Sequence, residues 1–368
     1  MNKVLTSVDQ ATPGRLTALL RQRGVLSRGR VVSVEHRASG AWNSASYHLE
    51  LGYSPGAPAG APRHLFLKMN VPEQFDQAEV EFYRFVRDKR AALPMLVPCY
   101  DAALSVEESA SHLLLADLSA THFCPVTKAQ VLAGETMPSR RQLEQMVDAI
   151  AGFHAYWWEH PQLGEGFARI RSWFDGEDAY RRHTEGRERD WATFRAQAGD
   201  LIPADVRELY EKVLSHFPGL WDLYLADRFK PTRAITLSNG DCYFIQFLCP
   251  REPEDSSAYL IDFDSVSANL PAYDLVYMFA TFWTPEQRNE QGREQTLLRR
   301  YHDALQGHGV TGYAWDDLLT DYRLCVLYMI FDPVWDQTVG ASEAYWLPKL
   351  RCLTSAFQDL DCFGLLPR

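Results

Sequence analysis

No C-x-x-C pair occurs in this chain of 368 residues, and its seven cysteines, Cys99, Cys124, Cys242, Cys249, Cys325, Cys352 and Cys362, are odd in number. Neither a disulfide framework nor a cysteine-based zinc site is indicated, and reduced thiols in a cytoplasmic protein are expected. Long apolar runs are also missing. The longest near the C-terminus, residues 324–331, is far too short to span a bilayer. The opening MNKVLTSVDQATPGRL holds no continuous apolar stretch of the signal-peptide kind. Positive charge is in deficit, with a formal net charge of −11, which argues against non-specific nucleic-acid binding and against an anionic membrane surface. Internal repeats are absent, and the one low-complexity tract is SPGAPAGAP at residues 54–62.

What is present is enough for a sizeable core, with 46% hydrophobic and 23% charged residues, and the length favours two or three domains. The acidity is uneven. Residues 230–368 carry 11 basic against 19 acidic side chains, while residues 1–229 carry 26 against 29. An acidic second half suits a cationic substrate or metal ions, and equally a solvated acidic surface.

Residues 31–35, 46–53 and 64–69 alternate β-branched or aromatic residues with polar ones and read as strands, the last two flanking the long loop. Residues 73–89 read as a helix, with Ala78, Phe82, Phe85 and Val86 near helical spacing. Pro94 and Pro98 break the pattern, and residues 113–118, LLLADL, form a further strand. Beyond that point the chain reads as helix. Ser139 with Gln142 is a capping-box signature, followed by Leu143, Met146, Val147, Ile150, His154 and Trp157 at spacings of three and four. Residues 205–217, 286–305, 315–331 and 345–361 are further helix candidates. The architecture expected is α+β, with a small β-rich lobe over residues 1–117 and a larger helical one over residues 118–368.

Chemistry concentrates in two stretches, ITLSNGDCYFIQFL at residues 235–248 and YLIDFDSVSANLPAYDLVYMF at residues 259–279, joined by the polar CPREPEDSSA. Both set aspartate among strand-forming residues, and the pairing expected is a hairpin holding Asp241 near one end and Asp262 near the other. A carboxylate in such a setting needs a partner, either a metal ion or catalytic duty on one side, or a buried arginine or backbone cap on the other.

These stretches resemble the catalytic core of the aminoglycoside phosphotransferase and choline kinase superfamily, which has the protein-kinase-like bilobal fold. That family carries H-G-D-x-x-x-x-N and then a strand ending in I-D-[FW]. Here Asn239-Gly240-Asp241 is followed by Gln246, and Ile261-Asp262-Phe263 stands in the second place. Asp274 matches the structural aspartate of D-L-A, and AIAGFHAYWW at residues 149–158 resembles the L-A-x-L-H-A segment. The resemblance implies an antiparallel β lobe with one helix, a helical C-terminal lobe, and transfer of the γ-phosphate of ATP, with GTP also open, to a hydroxyl of a small molecule. An amine-bearing metabolite or antibiotic is one such acceptor.

By the same resemblance Asp241 accepts a hydrogen bond from the substrate hydroxyl and orients it. Asp262 binds Mg2+, a hard ion that prefers oxygen ligands, and Gln246 stands where the second metal ligand belongs. Lys68, in LFLKM, matches the strand lysine that holds the α- and β-phosphates, against the plain alternative of an edge-strand lysine. Glu79 matches the helix glutamate that pairs with it, with Glu81 a neighbouring competitor. Gly40, in SGAWN, falls in the phosphate-covering loop, and Ala116 to Leu118 fall at the hinge that meets the adenine edge. His154 reads as a core histidine beneath the catalytic loop rather than a general base, since kinases use aspartate there. Asp332, Trp335 and Asp336, around the break at Pro333, are the candidate acceptor-binding residues, with an exposed acidic turn as the plain alternative. The competing function is a nucleotide-binding protein that has lost transfer, because Asn239 replaces histidine and Gln246 replaces asparagine. Oligomeric state is unreadable from the sequence.

Overall fold

The computed structural model describes residues 3–39, 44–70, 77–89, 91–134, 137–230, 232–252 and 257–367. The chain forms two compact units, Met1–Phe123 with Leu248–Ser265, and Cys124–Phe247 with Val266–Arg368. The first thus takes in a segment far downstream of residue 117.

The first unit is built on a five-stranded antiparallel sheet in the order β1-β2-β3-β5-β4. Its strands are β1 (Val31–Ala38), β2 (Ser44–Tyr53), β3 (His64–Asn70), β4 (Cys99–Ser105) and β5 (Ala110–Ala116). Lys68 lies opposite Ser46 on β2 and Leu113 on β5, so its strand is central, not an edge. Side chains alternate across a strand, and β3 obeys this. Leu65, Leu67 and Met69 are buried on one face, while Phe66 and Lys68 share the other. The apolar face packs on Leu16, Leu19 and Leu20 of helix α1 (Pro13–Gln22), joined by Leu49, Leu51 and Leu114. Helix α2 (Ala78–Val86) packs on β4 and β5. Strand β4 begins directly after Pro98, so Pro94 and Pro98 precede it rather than interrupt it. A small sheet completes the unit, β6 (His122–Phe123), β8 (Phe247–Pro250) and β9 (Tyr259–Leu260), in the order β6-β8-β9.

The second unit is largely helical. Its helices are α3 (Lys128–Ala133), α4 (Arg140–Trp157), α5 (Glu177–Ala198), α6 (Ala204–His216), α7 (Ala226–Phe229), α8 (Ala272–Phe279), α9 (Pro285–Asn289), α10 (Arg293–Gly307), α11 (Trp315–Met329), α12 (Asp332–Thr338) and α13 (Glu343–Asp359). α4 carries the expected capping box at Ser139 and Gln142, and the six residues of its apolar stripe are all buried. It packs on α10, and α8 packs on α11. The helix expected over residues 286–305 is two, because Gln291 and Gly292 take left-handed φ of 52° and 66°, a conformation no helix can carry through. Among the described residues no helix is long and apolar enough to cross a membrane, and all seven cysteines are free.

The expected hairpin is only partly the observed one. Its arms are β8 and β9, whereas the strand leading into Asp241, β7 (Thr236–Ser238), pairs antiparallel with β10 (Ser267–Asn269). Neither aspartate lies within a strand. Asp241 follows β7 by a tight turn and Asp262 follows β9, so both carboxylates are presented by loops at strand ends.

Candidate active site

In the first unit a single cation gathers three carboxylates. Lys68 Nζ donates to Glu79 Oε2 at 2.7 Å, to Asp262 Oδ1 at 2.7 Å and to Asp264 Oδ2 at 3.4 Å. Burial alone would push the lysine down, but the three negative charges win and hold its ammonium well above its ordinary value. Burial pushes the Glu79 carboxyl up, and Lys68 offsets this only in part. Asp264 is raised in the same way, with Asp262 adding to the rise. With the Glu79 carboxyl pushed up to about 8, Asp262 and Asp264 against one ammonium leave a surplus of one negative charge. Their oxygens all lie within 4.8 Å of one another. Hard oxygen donors with that surplus fit a divalent cation such as Mg2+.

The loop that carries Asp262 is held in an uncommon shape. Asp262 has φ of 62°, the left-handed region that a non-glycine residue enters at a cost of about 1–3 kcal/mol. Two anchors hold it there. Lys68 grips its carboxylate, and the backbone N–H of Phe263 donates to Glu79 Oε1 at 3.2 Å. The Phe263 ring stacks on Phe82 of α2, centroids 4.2 Å apart. α2, β3 and the Asp262 loop are therefore one linked assembly.

In the second unit the Asp241 turn hangs on one buried residue. Asp274, at the start of α8, is fully buried and accepts from Ser238 Oγ at 2.6 Å, Asn239 N–H at 2.7 Å and Gly240 N–H at 3.0 Å. His154 Nε2 lies 3.1 Å from the same carboxylate, and its Nδ1 lies 2.8 Å from Tyr301 Oη. A carboxylate only accepts, so Nε2 carries the proton and donates to Asp274. His154 is thus the core histidine the sequence suggested, buried and bonded. The Asn239 side chain does local work, since its Oδ1 accepts the Asp241 N–H at 3.3 Å. Gly240 takes φ of 86°, which favours glycine at the tightest point of the turn. Gln246 Nε2 donates to Asp241 Oδ2 at 3.4 Å.

The remaining candidates divide. Ala116 ends β5 with its N–H on Pro98 O, and Leu118 O accepts from the N–H groups of Thr121 and His122. Asp336 is ion-paired with Lys349 at 2.6 Å, Asp332 is buried, and Trp335 is 55% exposed. Glu81 takes no part in the Lys68 cluster. Gly40 lies outside the described residues. Sequence reasoning missed Asp264, although it stands two residues after Asp262 in the string I-D-F-D.

The residues matched by the ecdysteroid kinase-like family model are 74–309. The chain belongs to that family. Solved structures of similar fold include an amicoumacin kinase in complex with AMP-PNP, Ca2+ and amicoumacin, with 13% identity over 93% of this chain and 92% of that one at a TM-score of 0.51. A microcompartment-associated aminopropanol kinase shares 11% identity, covering 94% and 97%, at 0.50. An ethanolamine kinase of Plasmodium vivax shares 9%, covering 89% and 84%, at 0.50. No curated protein matched. The fold is that of the protein-kinase-like small-molecule kinases, as the resemblance implied.

Proposed function

We propose that this protein is an ATP-dependent phosphotransferase that moves the γ-phosphate to a hydroxyl of a small molecule. The observation that carries the reading is the Lys68 cluster, a lysine on a central strand tied at once to a helix glutamate and to the loop aspartate of I-D-F. Phosphoryl transfer asks for positioning and charge neutralisation more than for covalent help. Lys68, set by Glu79, would hold phosphate oxygens. Asp262, with Asp264, would hold Mg2+. When bound, that ion neutralises phosphate charge and orients the transferred group. Asp241 would accept a hydrogen bond from the acceptor hydroxyl and take its proton as the new O–P bond forms and the bond from the γ-phosphorus to the leaving ADP oxygen breaks.

Asn239 in place of histidine does not weaken this reading, because Asp274 and the Asn239 side chain hold the turn between them. One observation favours the alternative of nucleotide binding without transfer. The Gln246 amide points a donor at Asp241 rather than presenting its oxygen there. A thermal-shift titration with MgATP, followed by mass spectrometry of products from a panel of alcohols, separates the two. Stabilisation by MgATP with a product heavier by one phosphoryl group supports transfer. Stabilisation with no product from any alcohol supports the alternative, and no stabilisation contradicts both.

A further inference from the structure

A cavity in the first unit takes no part in the transfer chemistry. It has a volume of about 200 Å³ and lies where the end of α2, the segment before β4 and the residues after α1 meet. Val25, Val86, Leu93, Val97 and Pro98 give it an apolar wall, and Arg23 and Arg87 bring two guanidinium groups to it. About 150 Å³ is enough for a benzene-sized ring, so this space takes a ring or a short chain with one polar end.

The two arginines differ. Arg23 is committed, with Nε on Tyr100 O at 3.0 Å and Nη2 on Asp101 Oδ1 at 3.1 Å. Arg87 directly follows α2, and its side chain is 18% exposed. Its Nε is buried and has no hydrogen-bond partner among the described residues. Asp88 Oδ1 stands 3.6 Å from it, beyond hydrogen-bond reach, on a side chain 81% exposed to water. Charge is therefore balanced, Arg23 by Asp101 and Arg87 by Asp88. What the cavity lacks is an acceptor, and a buried donor left unmade is costly. Cys99 also lines the space, but burial pushes its thiol up to about 12, so it is neutral and supplies no anion.

Two ties link the cavity to the Lys68 cluster. Tyr83 lines it from α2, one turn after Glu79, and its ring meets the Phe263 ring edge-on, centroids 6.0 Å apart. Burial holds the Tyr83 phenol well above its ordinary value, and the charges of Glu79 and Asp262 add to the rise. Leu96, another lining residue, bridges to Leu260, two residues before Asp262, and the Leu260 N–H donates to Met95 O at 2.9 Å.

We propose that this cavity is a regulatory site for a small apolar carboxylate, held at its charged end by Arg87 and along its ring or chain by Val86 and Val97, and that its occupancy steadies α2 and the Asp262 loop. A guanidinium offers N–H groups side by side to the two oxygens of a carboxylate. A ligand that binds the arrangement in which Tyr83 meets Phe263 and Leu96 bridges Leu260 stabilises that arrangement by mass action, and with it the contact of Lys68 with Glu79. Neither the binding nor the linkage depends on phosphoryl transfer.

The test is calorimetric titration of the full chain, without nucleotide or metal, with benzoate, phenylacetate and hexanoate, each beside its carboxamide. At least one acid should bind about ten- to a hundredfold more tightly than its amide. Arg87→Gln should bring that acid down to the level of the amide. The acid–amide comparison is made on the wild type, so it stands even where the variant folds poorly. Hydrogen exchange followed by mass spectrometry should slow across residues 78–86 and 259–265 when the acid is bound. Equal affinity within every pair, binding of no acid, or a folded Arg87→Gln variant that keeps the preference overturns the site. Binding with unchanged exchange in both segments overturns the regulatory role.

Discussion

Glu79 in the first unit and Asp274 in the second are both buried carboxylates, and they are satisfied in opposite ways. Glu79 shares one ammonium with two other carboxylates, so its cluster carries more negative charge than the protein neutralises. Among the described residues Asp274 has no lysine or arginine within 4.0 Å. It is surrounded by two backbone N–H groups, a serine hydroxyl and a histidine N–H, which together use its acceptor capacity. The first arrangement is open to an incoming cation. The second is closed and serves to fix a turn. Charge surplus, rather than burial, distinguishes the group that works from the group that holds.

The largest effect should come from breaking the closed arrangement. Asp274→Asn puts an amide NH2 against N–H donors, and each buried donor left without an acceptor costs about 1–3 kcal/mol. A denaturant melt should show that loss together with collapse of turnover. A variant as stable as wild type would mean the Asp241 turn is held by something else.

The open arrangement should respond differently. Lys68→Met leaves the cluster's carboxylates unneutralised, so calorimetry should find Mg2+ alone binding more tightly, by about tenfold, for a charge interaction worth about 1.4 kcal/mol. MgATP should bind more weakly, because a phosphate partner is lost. The two affinities moving in the same direction would contradict the surplus-charge account. Tyr301→Phe removes one hydrogen bond from His154 and should cost about 1 kcal/mol with the turn otherwise intact.

The last effect is a pH dependence. His183 titrates near 6.5 in the unfolded chain and is pushed down to about 3 when folded. Its contribution to stability is fully present above about 6.5 and is lost as pH falls toward the folded value, because the unfolded state binds the proton first. The melting temperature of His183→Phe should therefore fall less than that of wild type between pH 7 and pH 5. Parallel decline in the two proteins would remove His183 from that account.

The parts legible in the sequence are those that local pattern controls. The α4 stripe and its cap, the strands around Lys68 and the Asn239-Gly240-Asp241 turn each declare themselves within a few residues. Helix α5 did not, because its buried positions include Thr184 and Arg187 and its mean hydropathy is low, so no apolar stripe stands out. The cluster of Arg171 and Arg187 on Trp173, with Tyr273 and Phe331, was unreadable for another reason. Its members come from the segment before α5, from α5, from α8 and from just before α12, and residue 170 is placed by a bridge to Ala268. Such a juxtaposition belongs to the tertiary fold, not to any window of sequence.

The central claim assigns separate duties to the two aspartates, and one paired measurement tests it. MgATP binding and product formation are compared for wild type, Asp241→Asn and Asp262→Asn, with an acceptor that the wild type phosphorylates. The account predicts that Asp241→Asn binds MgATP nearly as wild type while turnover falls by about a hundred- to ten-thousandfold, and that Asp262→Asn loses MgATP binding itself. Unchanged turnover in Asp241→Asn, or unchanged MgATP binding in Asp262→Asn, would contradict it.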